Sequence, residues 1–174
     1  MMKALTLWPE WAWAVANLNK TVENRTYRPP RNIVGKRIAI HAGKKVGGRY
    51  VPTSKMATPY YEIMMNSASN AGWYPEVVDE AIIFKRRPKI FGGYEKLIPE
   101  YLTVGAIVAT ARIGGVSYLS PGRFEVWSAE GQYQWHLDDL VVLDDPVLCM
   151  GRQAVWCIPE DVERKVLEQC SVIQ

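Results

Sequence analysis

The residues of this chain best suited to chemistry stand in one short polar run, Lys20-Thr21-Val22-Glu23-Asn24-Arg25. Lys20 and Arg25 can engage phosphate, Arg25 in a bidentate fashion, and Glu23 can accept hydrogen bonds from exocyclic amines on a base edge. A lysine depressed in pKa by burial also serves as a general base, with Glu23 as its proton partner. The plainer reading of the same residues is a structural ion pair that fixes the entry to a strand. Trp8, Trp11 and Trp135 offer faces for base stacking, worth roughly 1–3 kcal/mol per base, while Trp11 and Trp156 equally suit a core. His41 and Lys44 stand at the end of a strand-like segment, where a lone histidine is more often structural than functional. The cluster Lys85-Arg86-Arg87-Pro88-Lys89 either tracks a nucleic-acid backbone or solvates an exposed loop.

Other chemistries are excluded by what is missing. The chain has no Gly-x-x-x-x-Gly-Lys-Ser/Thr loop, no His-Glu-x-x-His and no Gly-x-Ser-x-Gly, and its 2 histidines, His41 and His136, are too few for a His-rich metal site. Cys149, Cys157 and Cys170 are odd in number and lack Cys-x-x-Cys spacing, which argues for reduced thiols rather than a disulfide framework or zinc site. No metal and no cofactor is expected.

Several elements must position the polar run. Lys3 to Leu7 alternates like a half-buried strand, and Pro9 opens a short helix with Trp11, Ala12, Val15 and Ala16 at apolar positions. Thr21 to Tyr27 is too polar for a buried strand and is closed by Pro29-Pro30. Gly35 to Gly43 is a glycine-bounded strand with Ile38 and Ile40 on one face and Arg37, Ala39 and His41 on the other. From about 45 to 100 the composition turns to Met, Tyr, Asn and Ser. Helical spacing at Tyr60, Met64, Met65 and Ala68, and again at Val77, Val78 and Ile82, predicts a helical insertion. Strands are expected at Gly105–Ile113 and Arg123–Ser128, one or two more within Tyr133–Leu143 and another at Ala154–Ile158, then a helix opened by Pro159 and running through Glu168. Closely spaced strands with helices outside them predict an α+β protein built on a small mixed β-barrel.

The chain's 174 residues make one domain the default, and 48% hydrophobic with 22% charged residues excludes disorder and fibrous repeats. No apolar stretch approaches the roughly 18 residues of a membrane span, and the N-terminus lacks a leader-like apolar region, so a cytoplasmic protein without membrane contact is expected. Net charge is +3, but residues 1–124 carry 18 basic against 8 acidic groups and residues 125–174 carry 3 against 10. If the basic part forms one surface it attracts a polyanion; if the halves interleave, the charges cancel.

Taken in order, these segments resemble the ASCH family of the wider PUA-like group. The resemblance rests on the Pro9-Glu10-Trp11-Ala12 helix after a first strand, the Lys20-x-x-Glu23-x-Arg25 run and the Ile40-His41-Ala42 strand. It continues in Gly105-Ala106-Ile107-Val108-Ala109-Thr110-Ala111, Pro146-Val147-x-Cys149-x-Gly151 and Ala154-x-Trp156, and so spans the chain except for about 45–100. Two positions depart from the family: Leu18 replaces a glycine common two residues before the lysine, and Glu10 is inserted between Pro9 and Trp11. The resemblance implies a single PUA-like domain over 1–174, with flanking helices and an inserted helical segment. It further implies a cleft lined by the Lys-x-x-Glu-x-Arg run that receives RNA or a nucleotide, with Trp8, Lys20, Glu23, Asn24, Arg25, His41 and Lys44 as binding residues. Some family members hydrolyse acetylated cytidine, and nuclease activity has been proposed for others; in this chain Lys20 and Glu23 would be the catalytic pair. The amidohydrolase members pair the lysine with a threonine three residues on, where this sequence has Glu23, with Thr21 offset. A third possibility is a protein-interaction module whose Met- and Tyr-rich insertion presents a partner surface.

Overall fold

The computed structural model describes residues 1–46, 49–50, 73–78, 81–86, 94–97, 102–123 and 125–171. Strand β1 (Lys3–Leu7) leads into helix α1 (Pro9–Leu18), with Pro9 in the first turn, where its missing N–H costs nothing. Asn19 ends the helix in the left-handed conformation, with φ 54°, and Lys20 N–H donates to the Ala14 carbonyl at 3.2 Å. The polar run then forms a strand after all, β2 (Val22–Arg25). It is tolerated because β2 is the edge of the sheet, paired on one side only.

β3 (Arg37–Ala42), β9 (Ala106–Tyr118), β10 (Tyr133–Leu148) and β11 (Val155–Cys157) complete a six-stranded sheet in the order β11-β1-β3-β9-β10-β2. β1 and β3 are parallel, joined through α1 and β2, and the other pairs are antiparallel. Register shifts at His136/Leu137, Asp138/Val141 and Val142/Val147 interrupt the long β9–β10 ladder. Such bulges bend and twist a strand, so the sheet curls into a half-barrel. Helix α2 (Glu160–Ser171) follows Pro159 and packs on β10.

The two faces of the sheet hold two cores. Leu5, Ile38, Ile40, Ala109, Ala111 and Trp135 pack with Ala12 and Val15 of α1. Ala4, Ala39, Ile107 and Trp156 pack with Val162 and Val166 of α2. The alternation predicted for the third strand therefore holds, with Ile38 and Ile40 on the face opposite Ala39.

Several expectations are revised. The described residues of 123–128 do not form a strand; they are loop and turn, and Trp127 sits at φ 65°, outside the extended region. Tyr133 to Leu143 is the first part of one continuous strand that extends through Pro146, beside a register shift where the missing donor is tolerated. Val77, Val78 and Ile82 lie in strands: β6 (Trp73–Val78), β7 (Ala81–Arg86) and β8 (Tyr94–Leu97) form an antiparallel sheet, with Val77 opposite Ile82. In a run this rich in Val, Ile, Phe and Tyr, pairing overrides a three-to-four-residue apolar spacing. Lys85 and Arg86 of the basic cluster lie on β7 rather than in a loop. A short hairpin of β4 (Lys45–Val46) and β5 (Arg49–Tyr50) precedes this sheet. The predicted helix around Tyr60 to Ala68 and the remainder of the basic cluster lie outside the described residues. No helix among the described residues is long and apolar enough to cross a membrane.

Candidate nucleotide cleft

The period of two along β2 sorts the polar run. Glu23 stands opposite Trp135 and Arg25 opposite Tyr133 on β10, while Asn24 stands opposite Gln134 and faces the other way. The Asn24 amide donates to the Trp127 carbonyl and accepts from Ala129 N–H, both at 2.8 Å, and Gln134 holds the same loop through the Ala129 carbonyl. Asn24 thus borders the cleft with its polar atoms committed to the turn at 127–129.

Lys20 is 2% exposed and Glu23 7%. The Lys20 ammonium donates to the Val22 carbonyl, lies 3.5 Å from Glu23 Oε2 and sits 5.4 Å over the Trp11 ring. Burial pushes its pKa below the ordinary lysine value; Glu23 pulls it back up, and the nearby Arg25 charge lowers it. The other Glu23 oxygen pairs with Arg25 Nε at 3.0 Å, and Arg25 Nη2 donates to the Thr6 carbonyl at 3.1 Å. Glu23 therefore sits between two cations, and Arg25 ties the edge strand β2 to β1, across the open side of the half-barrel.

On β3, His41 stands directly opposite Thr6 of β1. Its Nε2 lies 3.1 Å from the Cys149 carbonyl, an acceptor only, so this nitrogen carries the proton. Its Nδ1 lies 3.3 Å from Thr6 Oγ1, which donates to the Arg152 carbonyl at 2.6 Å and accepts from Trp156 Nε1 at 3.0 Å. The ring meets Trp156 edge-on at 5.7 Å. Burial pushes the His41 pKa down, opposed by the bond to Cys149 and reinforced by the Lys44 charge, so the ring is neutral near pH 7. His41 consequently pins the 149–152 loop to the sheet. That loop must run close to the ring: a Cβ on Gly151 would overlap it.

Two adjoining cavities result, sharing Thr6, Leu7, Trp8 and Arg25. The smaller, about 360 Å³, is lined by Trp11, Lys20, Glu23, Asn24 and Gln132. The larger, about 680 Å³, is lined by Tyr27, His41, Lys44, Gly151, Arg152 and Gln153, among others. The structure thus brings all seven predicted binding residues to one double cleft: Lys20, Glu23 and Asn24 line only the smaller cavity, His41 and Lys44 only the larger, and Trp8 and Arg25 both.

The tryptophans divide differently from expectation. Trp135 is fully buried, its indole N–H donating to the Tyr27 carbonyl at 3.0 Å, and it offers no stacking face. Strand alternation places it on the face that packs against α1, the same face as its cross-strand partner Glu23. Trp156 belongs to the core, as expected, while Trp11 packs on the core and also walls the cleft. Thr6, Tyr27, Arg152 and Gln153 went unnoticed in the sequence. Arg152 did carry a signal, standing beside Gly151 at the end of the terminal motif. All 3 cysteines are free, and among the described residues no three His, Cys, Asp or Glu side chains converge as metal ligands would.

No family model matches the chain, and no curated protein matches it. Among solved structures it is similar to the crystal structure of ASCH from Zymomonas mobilis, with a TM-score of 0.45 and 14% identity over 96% of this chain and 94% of that one.

Proposed function

We propose that the protein binds RNA or a nucleotide in the double cleft. The observation that carries this reading is the join between a buried Lys20–Glu23–Arg25 cluster and a cavity edged by Lys44, Arg152 and Trp8. Cations on one side, a carboxylate acceptor on the other and an aromatic edge between them are the groups that hold phosphate, base amine and base face respectively. The test is the affinity for a short single-stranded RNA, followed by tryptophan fluorescence at two salt concentrations. Arg25→Ala is expected to weaken binding and to flatten its salt dependence, because one phosphate contact and its counterion release are lost. Unchanged affinity would remove the cleft from the reading.

A second reading, hydrolysis of a modified nucleoside of the acetylated-cytidine type or of RNA, is favoured by one specific observation. Burial lowers the Lys20 pKa, and a carboxylate lies 3.5 Å away to exchange its proton with. RNA and acetylated cytidine recovered from the binding experiment decide it. Altered products that vanish in Lys20→Ala would make the protein an enzyme, and intact ones would leave it a binding module.

A further inference from the structure

The two halves of the cleft differ in chemistry. Arg25, Lys44 and Arg152 line the larger cavity, and among the described residues no carboxylate does. The backbone around Arg152 is held in place, since its carbonyl accepts the Thr6 hydroxyl at 2.6 Å and neighbouring Gly151 lies against His41. Lys44 is similarly guided: its stem crosses Gly105, where an added Cβ would meet Lys44 Cε at 3.0 Å. The neutral His41 adds no charge of its own. The smaller cavity instead contains the Glu23 carboxylate. The Lys20 ammonium there is buried and already engaged by the Val22 carbonyl and by Glu23, and is poorly placed to reach a phosphate. Each Glu23 oxygen has one cation partner and retains a second lone pair for a donor.

We propose that the larger cavity is a phosphate subsite held by Arg152, Lys44 and Arg25, and the smaller a nucleobase subsite in which Glu23 accepts from an exocyclic amino group. The unit recognised is a nucleotide whose base carries such an amine, with Trp8 and Arg25 at the junction. This rests on the cleft being the nucleotide site. It transfers the phosphate role from Lys20 to Arg152, a residue outside the Lys-x-x-Glu-x-Arg run.

The test measures binding of cytidine, CMP, UMP and a short cytidine-containing RNA to the full chain and to Arg152→Ala, whose exposed side chain makes a folding defect improbable; a thermal melt checks it. A charge-assisted phosphate contact predicts that CMP binds the wild type about tenfold or more tightly than cytidine. Arg152→Ala is expected to shrink that ratio while leaving cytidine affinity unchanged. CMP is expected to outbind UMP, which presents a carbonyl to Glu23 where CMP presents an amine. CMP binding that depends on Arg152 assigns a free nucleotide; Arg152-dependent binding of the RNA alone assigns a nucleotide within a strand. Equal affinities for CMP and cytidine with no Arg152 dependence in the RNA, or equal affinities for CMP and UMP, would overturn the assignment. Should Arg25→Ala weaken RNA binding while Arg152→Ala does not, the subsites fail and the cleft stands. If neither variant has an effect, both fail.

Discussion

Glu23 is shared by two cations, and the two do not depend on it equally. Arg25 is partly exposed and also bonded to the Thr6 carbonyl, whereas Lys20 is sealed beneath Trp11 and has Glu23 as its counter-charge. Removing the carboxylate strands a buried ammonium, while removing the ammonium leaves the Glu23–Arg25 pair intact. Breaking a buried pair from the costly side typically destabilises by about 3–5 kcal/mol, whereas replacing a buried charge by an apolar side chain of similar volume is often close to neutral. Glu23→Gln should therefore lower urea-unfolding stability by about 3 kcal/mol, and Lys20→Met by less than about 1 kcal/mol. Equal losses would mean that the Lys20 ammonium holds the strand entry rather than being held by it. That result would favour the structural ion pair over a site poised for chemistry.

Between strands, the decisive element is the loop from Cys149 to Arg152, which has no regular structure and is fixed by three contacts to neighbouring strands. His41 of β3 reaches the Cys149 carbonyl, Thr6 of β1 reaches the Arg152 carbonyl, and Gly151 leaves room for the His41 ring. Gly151→Ala would drive a methyl group into that ring. The expected loss is about 1–3 kcal/mol, the usual cost of overpacking a filled site, read as a lower melting temperature. Because the same loop presents Arg152, RNA affinity should fall with it. A variant as stable as the parent would show that the loop is not seated on His41. The turn at 127–129 is secured in the same way from the far side of β2, by Asn24 and Gln134. Interior polar groups on both sides of the cleft thus serve to hold loops, while Arg25, Lys44 and Arg152 line the larger cavity.

Among the described residues, charge is less segregated in space than it is along the chain. Asp138 and Asp139 of the acidic half pair with Arg112 of the basic half, at 3.2 and 2.7 Å, and Arg152 comes from the acidic half into the cationic cavity. Stability should also depend on pH through His41. Its pKa is lowered in the folded protein relative to about 6.5 in the unfolded chain, so below that value the unfolded state binds the proton more readily. The His41 contribution is complete above pH 6.5 and is lost as pH falls through the folded pKa. Urea midpoints measured from pH 7 down to 5 should decline, and His41→Asn, though less stable throughout, should show a shallower decline. Parallel curves for the two proteins would remove His41 as the source.

Much of this was written in local sequence. Alternation from Lys3 to Leu7 and from Arg37 to Ala42, Pro9 and Pro159 at helix starts, and the glycines around the third strand specify elements whose hydrophobic faces and caps are short-range properties. The polar run marked the cleft because a lysine, a glutamate and an arginine so close together are costly unless paired. What local sequence cannot express is which strand lies beside which. Pairing of β2 with β10 decides that Glu23 and Arg25 face one way and Asn24 the other, and buries Trp135 beside Glu23 on the same face. Pairing also turned Val77, Val78 and Ile82 into strand residues despite their helical spacing. Parallel pairing of β1 with β3 sets Thr6 against His41, and through them brings Arg152 to a cavity begun more than a hundred residues earlier. Periodicity is a property of neighbours along the chain and survives in sequence. The cleft is a property of neighbours across the sheet, and only the folded arrangement creates it.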